Sequence, residues 1–429
     1  MPAKVKNKVL TYEGCNYLRY RLLLSTLSGK PVRITDIRIK DDDPGLKEYE
    51  VSFIRLLDKI TNGSRIELNE TGTNLYYNPG LLHGGELEHD CSLQRGIGYY
   101  LEGIMILAPF CKSPVDIKLR GITNNTIDPC VDRIKATAVP MLKRFLMGDN
   151  EVVFNIKKRG AAPLGGGEIH FKCPASRNVR TIQLQNSGMV KRIRGIACSI
   201  RVSPAIANRI VESAKGVLLK FLPDVYIHTD HCKGASSGKS PGFGLSLLAE
   251  TTTEIAFGGE AFSPLMTTGS LPCVPEDLGK EAAMKLIDEI YRNGCVDSPF
   301  QSMTAMFMAL SKNDVSKVVT GPLTPAMIQF LRDLRDFFGT VFKIEPLREE
   351  DEILDQVVLT CVGVGYTNIS KRTFSSLLST LNCYFCITVN EPILQLFISS
   401  ININAYFNTK IYRCLTAHHM ILDGHGFFL

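Results

Sequence analysis

Arg159-Gly160-Ala161-Ala162-Pro163-Leu164-Gly165-Gly166-Gly167-Glu168-Ile169 is the stretch on which the reading of this chain turns. Its glycines open backbone conformations closed to other residues and let a neighbour approach closely. Pro163 stiffens the approach, and Arg159 carries a permanent charge suited to phosphate. Strand-like runs flank it, Val152 to Ile156 before and Ile169 to Phe171 after. By spacing alone the glycines permit a sharp hairpin bend.

Working outward, the chain shows a recurring order of helix, strand, helix and strand pair. Leu18, Leu22, Leu23 and Leu27 have helical spacing and close at Gly29; Pro31 to Ile39 alternates like a strand. Leu46, Tyr49, Phe53, Leu57 and Ile60 mark a second helix, and Ile66–Leu68 with Leu75–Tyr77 supply the strand pair. The order returns with a helix over 93–107, a strand over 115–119 and a helix opened by Asp128 and Pro129 as cap and first position. A third copy runs through a helix at 300–310, a strand at 315–319, a helix at 325–338 and strands at 341–344 and 357–362. One copy alone leaves a sheet face bare, so three are expected to share a core. Between the second and third lies extra chain with a basic strand (Lys191, Arg192, Arg194, Arg201), two helices and a Gly/Ser-rich loop.

With 429 residues the chain can hold two or three domains with real cores. Its 45% hydrophobic and 21% charged content is that of a globular protein, not of a disordered one. A net charge of +6 is compatible with a nucleic-acid partner. Thirteen scattered cysteines and an N-terminus without a long apolar run point to reduced thiols in cytosol or nucleus.

The quoted run has the form R-G-x-x-P-x-G-G-G-x-I, which resembles the signature of the RNA 3′-terminal phosphate cyclase family. Asp43-Pro44-Gly45-Leu46, the Gly244 to Glu250 run and Arg292 to Asp297 resemble its nucleolar, non-cyclase branch. The resemblance covers residues 8–371. It implies an α/β (α+β) fold of three repeated βαβαββ-type units packed together, with a small inserted α/β domain in the third. The expected division is 1–183 for two repeats and the start of the third, 184–290 for the insert, 291–371 for the rest, and 372–429 for an atypical tail.

A cyclase of this family activates an RNA 3′-phosphate with ATP through an adenylated histidine, in an H-x-x-T-N stretch before the last helix. Here that stretch is Gly321-Pro322-Leu323-Thr324-Pro325-Ala326, and Pro325 stands in the histidine's place. A proline ring offers no nucleophile, whereas Thr324-Pro325 suits a helix cap and first turn. None of the eight histidines is near in sequence. The family glutamate aligns with Tyr12 and its glutamine with Asn16, while its basic run becomes Asp41-Asp42-Asp43, which repels nucleotide phosphates. Cyclase activity is not expected, nor any cofactor.

The non-cyclase branch also carries an Arg-Asp-x-Lys group proposed to cleave pre-rRNA, matched here by Arg332, Asp333 and Arg335. Arginine stays protonated, so only Asp333 can serve as base, and a two-metal nuclease needs more carboxylates. The alternative is a solvated helix face with Arg332 and Asp336 paired at i,i+4. For RNA or anion contact the candidates are Arg19, Arg159, Gly165, Gly166, Gly167, Lys191, Arg192 and Arg194, with Arg38, Arg95 and Arg120 as further cations.

Gly234 to Ser240 imitates a nucleotide-binding loop but is one residue short, and reads as a surface loop. His228, His231 and Cys232 have metal-like spacing without a second ligand pair; Cys383, Cys386, Cys414 and His418 form a weak zinc set, and no metal is expected. Phe374 to Asn390 is uncharged but too often interrupted by Ser, Thr and Asn for a membrane span. The tail is read as an alternative or mispredicted end of the coding region. The resemblance thus implies a non-catalytic ribosome-assembly factor of the nucleus and nucleolus. Its implied partners are a GTPase assembly factor, pre-rRNA and a small nucleolar ribonucleoprotein particle, with no membrane.

Overall fold

The computed structural model describes residues 9–146, 151–264, 273–349 and 352–368. Within Met1–Lys371, one compact unit, the chain builds the same four-stranded sheet three times. The first comprises β1 (Leu10–Glu13), α1 (Leu18–Ser28), β2 (Val32–Thr35), α2 (Glu48–Ile60), a short β3 (Thr61–Asn62), β4 (Arg65–Leu68) and β5 (Leu75–Asn78), in sheet order β1-β2-β5-β4. Gly29 ends α1 in the left-handed region at φ 70°, its N–H returning to the Ser25 carbonyl at 2.9 Å. The alternation that reads as a strand to Ile39 stops at Thr35, because Asp36 and Arg38 take φ of 59° and 49°.

A short β6 (Leu81–Leu82) pairs with β3, and the second copy follows: β7 (Gly85–Asp90), α3 (Ile97–Leu107) and β8 (Val115–Gly121). Its second helix is a composite of α4 (Val131–Arg133), a π turn over Ile134–Ala138 and α5 (Val139–Phe145), before β9 (Val153–Lys158) and β10 (Gly167–Cys173). The sheet order is β7-β8-β10-β9. Asp128 and Pro129 do not start the helix. Cys130 is its N-cap, its sulfur accepting from the Arg133 N–H at 3.3 Å, and Asp128 is engaged elsewhere. Likewise the helix expected from Leu93 begins at Ile97.

The third copy opens with β11 (Gln183–Leu184) and is interrupted by β12 (Val190–Ile200), α6 (Pro204–Leu218), β13 (Val225–Cys232), β14 (Gly242–Thr251), β15 (Ala256–Phe262) and α7 (Pro275–Arg292). These four strands form their own sheet, β13-β12-β14-β15, with α6 and α7 packed together against it. The copy then resumes with α8 (Gln301–Leu310), β16 (Val315–Thr320), α9 (Pro325–Phe338), β17 (Lys343–Glu349) and β18 (Glu352–Val362), in order β11-β16-β18-β17. In all three sheets the first strand is parallel to the second, and the other two pairings are antiparallel. The opening strands β1, β7 and β11, like β13, β14 and β15 of the insert, are among the elements that the periodicity left out.

The core sits where the first helices of the copies meet, α1 on α3 and α3 on α8. Every residue of α3 is buried, as expected of a helix apolar all round. Phe307 of α8 stacks against Phe110 and Phe145 with centroids 6.2 and 5.2 Å apart. Among the described residues no helix is long and apolar enough to cross a membrane. Residues 374–429, with their cysteines and His418, lie outside the described part.

Candidate functional site

Glu102 is the one charge on α3, and charge inside an apolar helix demands a partner. Two come from α1: Arg19 donates to its carboxylate at 2.6 Å and the Tyr20 hydroxyl at 2.5 Å. Arg19 also donates to the Tyr99 carbonyl at 2.6 Å, and its guanidinium lies 4.5 Å from the Tyr99 ring centroid. Burial, then the neighbouring Glu102 charge, pushes the Tyr20 hydroxyl well above the usual phenol range. Beside this knot Asp128 accepts from Arg95 and from the Gly96 N–H at 2.8 Å. Arg19 is therefore an internal cation, its side chain 14% exposed, rather than a free contact for an external phosphate.

Pro325 opens α9, with the Thr324 hydroxyl accepting from the Met327 N–H at 3.1 Å. The position aligned with the family nucleophile is thus a capped helix start. None of the described histidines lies on α1, α8, α9 or the turn before Pro325. His89 is buried against Ser52, His170 pairs with Asp116, and His228 and His231 sit on β13. Among the described residues no group of His, Cys, Asp and Glu is arranged to hold a metal.

The glycine run does join an antiparallel pair, β9 and β10, but it is more than a bend. Gly165 and Gly166 have φ of 59° and 86°, and a Cβ on Gly166 would stand 3.2 Å from Gly238 and Lys239 backbone. The Gly/Ser-rich loop, read from sequence as a surface loop, closes directly on it. Lys239 N–H donates to the Gly165 carbonyl at 2.8 Å, and the Leu164 N–H donates to the Ser240 hydroxyl at 2.9 Å. Gly167 belongs to β10, paired with Gly121 of β8. Arg159, at the start of the run, is buried. It grips Asp132 through two bonds of 2.6 and 2.9 Å and Asp230 through one of 2.6 Å, tying the second copy to β13. Arg159 is thus spent on internal carboxylates, and the two loops lock the intervening segment in place.

On α9 the structure separates three residues that the sequence placed together. Arg332 and Arg335 are exposed, but Asp333 is fully buried and faces α1, where Arg21 donates to it at 3.3 Å and Gln329 at 2.8 Å. The expected solvated face keeps Arg332, Arg335 and Asp336 but not Asp333; Asp336 lies 4.0 Å from Arg335, and the apolar side runs through Phe337. Burial raises the Asp333 carboxyl above its ordinary range, against the opposing pull of Gln329 and Arg21. A carboxylate without solvent access cannot serve as base to an external substrate beside Arg332 and Arg335.

The remaining cations are also largely matched. Arg192 pairs with Glu250 at 2.6 Å, Arg194 with Asp224 at 2.8 Å, Arg38 with Glu50 at 2.7 Å and Arg120 with Glu88 at 2.8 Å; Lys191 is exposed.

The model of the RNA 3′-terminal phosphate cyclase family matches residues 10–344. The chain belongs to that family. It is 57% identical to the human RNA 3′-terminal phosphate cyclase-like protein over 364 residues, covering 84% of this chain and 97% of the relative. A probable protein of the same name from Drosophila melanogaster is 53% identical over 380 residues, 86% and 99% of the two chains. An rRNA processing protein of Schizosaccharomyces pombe is 45% identical over 365 residues, 84% and 97%.

The ground around α1, α9 and the glycine run is thus filled with internal bonds. The acids that do so, Glu102, Asp128, Asp132 and Asp230, were not among the site residues singled out from sequence; Asp128 was read only as a helix cap. Glu102 left a signal, a lone charge amid apolar neighbours. The others left none, since each meets its arginine only through the fold.

Proposed function

We propose that the protein is a non-catalytic ribosome-biogenesis factor acting in pre-rRNA processing and small-subunit assembly. It works in the nucleolus, in company with a GTPase assembly factor and a small nucleolar ribonucleoprotein particle. The observation that carries this reading is Thr324-Pro325, a helix cap where the cyclase nucleophile stands. Its likeness to a fission-yeast rRNA processing protein supports the pathway. What the scaffold retains is a rigid surface, held by buried ion pairs, that presents RNA and protein contacts without turning over ATP.

Two measurements test it. Incubated with ATP labelled in the α-phosphate, the purified protein is expected to take up no AMP; a labelled adenylate on the chain overturns the reading. Incubated with pre-rRNA spanning the early cleavage sites, it is expected to leave the RNA intact. Asp333→Ala, which strands Arg21 and Gln329, is expected to lower stability by about 3 kcal/mol, while Asp333→Asn keeps the fold. Cleavage by the native protein that Asp333→Asn abolishes would establish the nuclease instead.

A further inference from the structure

Three exposed lysines without an ion pair among the described residues gather in one place. An open groove of about 640 Å³ runs between the edge strand β9, the π turn and the sheet of the inserted segment. Lys135, Lys157 and Lys158 line it, all three exposed and none in an ion pair among the described residues. Its floor is the Arg159–Asp132–Asp230 cluster, in which the arginine already satisfies both acids. Against burial, which raises it, the hydrogen bond and charge of Arg159 hold the Asp230 carboxyl below its ordinary range. With the acids occupied, the lysines set the sign of the groove. Lys135 stands on the one-turn π segment Ile134–Ala138, a distortion of the helix that is frequent at functional sites.

We propose that this groove, through Lys135, Lys157 and Lys158, is where the protein holds the phosphate backbone of single-stranded RNA. The proposal rests on the rRNA-processing reading and names its contact surface. Three mobile ammonium groups over a fixed floor give non-directional attraction to a phosphate chain without reading bases. β9 is an edge strand, and Lys157 and Lys158 stand at its end, next to the bridge from Arg159 to Ser237. Arg159 of the glycine run is buried on its acids, and Arg192 and Arg194 of β12 are each paired with a carboxylate, whereas the groove lysines are not.

The test is fluorescence anisotropy with a labelled single-stranded RNA oligonucleotide, using the full chain across a salt series. The variants are Lys135→Glu/Lys157→Glu/Lys158→Glu and, as control, Lys280→Glu/Lys285→Glu on α7, whose lysines already have acidic partners. The groove variant is expected to lose at least about tenfold in affinity and to flatten the slope of log K against log salt by about 2, with an unchanged melting temperature. The control is expected to bind within about twofold of the native chain. Native binding that the groove variant retains in full overturns the groove but leaves the rRNA reading standing. A native chain that binds polyglutamate through these lysines and ignores RNA makes the groove a protein surface and overturns the proposal. A native chain that binds neither overturns the proposal and removes the RNA contact from the reading on which it rests.

Discussion

Two charged regions of this molecule differ in one respect. At the seam of α1 with α3 and α9, Arg19 meets Glu102 and Arg21 meets Asp333, and the charges are closed off from water. Over β9 the floor is also paired, Arg159 lying between a buried Asp132 and a partly exposed Asp230, but lysines stand above it without acids. A buried charge is tolerated only when its hydrogen-bonding capacity is met inside the protein, and once met it has little left for a ligand. An exposed lysine loses little by remaining unpaired and stays available. The charges at the α1 seam are used within the structure, and those of the groove lysines are not.

Breaking the closed floor is expected to have the largest effect. Arg159→Ala leaves Asp132 buried without its cation, and chemical denaturation should show a loss of about 3–5 kcal/mol. Arg159→Lys should recover only part, since an ammonium cannot reproduce two forked contacts. A stability equal to native would mean that the floor is not closed in solution.

Acid tests the buried groups. Burial depresses the His89 imidazole from 6.5 to about 4. A group depressed on folding stabilises above its unfolded value and ceases to do so as pH falls towards its folded value. Between pH 7 and pH 4, His89 should therefore account for about 3 kcal/mol of lost stability. His89→Gln, measured over the same range, is expected to show a shallower decline; an unchanged slope would assign the loss to other groups.

The smallest effect belongs to the exposed pairs. Arg194→Ala removes the partner of Asp224 at the surface, and neither the melting temperature nor RNA binding is expected to change measurably. A marked loss of RNA affinity in this variant would move the contact surface from the groove to β12.

The repeat itself was legible, since helical stripes such as Leu18, Leu22, Leu23 and Leu27 recur with the strand pairs in the same order. The opening strands were not. Gly85–Asp90 is strongly polar, and β11 is two residues long, so neither carries an apolar alternation of its own; each is a strand because a parallel neighbour pairs with it. For the same reason the sequence placed Asp333 with the exposed charges of α9. Helical spacing says which residues share a face, but the partner that makes that face interior, Arg21, is 312 residues away in the chain.

What the amino-acid order determined by itself was local: the helix stop at Gly29, the glycine run's unusual backbone, the cap at Thr324-Pro325. These follow from the conformational limits of single residues and their near neighbours. Which charges are free was decided only by tertiary structure. Arg159 and Lys157 are two residues apart, and the sequence reading singled out the arginine as the anion contact. Yet one is buried between two acids and the other faces an open groove, because the carboxylates that claim the arginine come from α4 and β13.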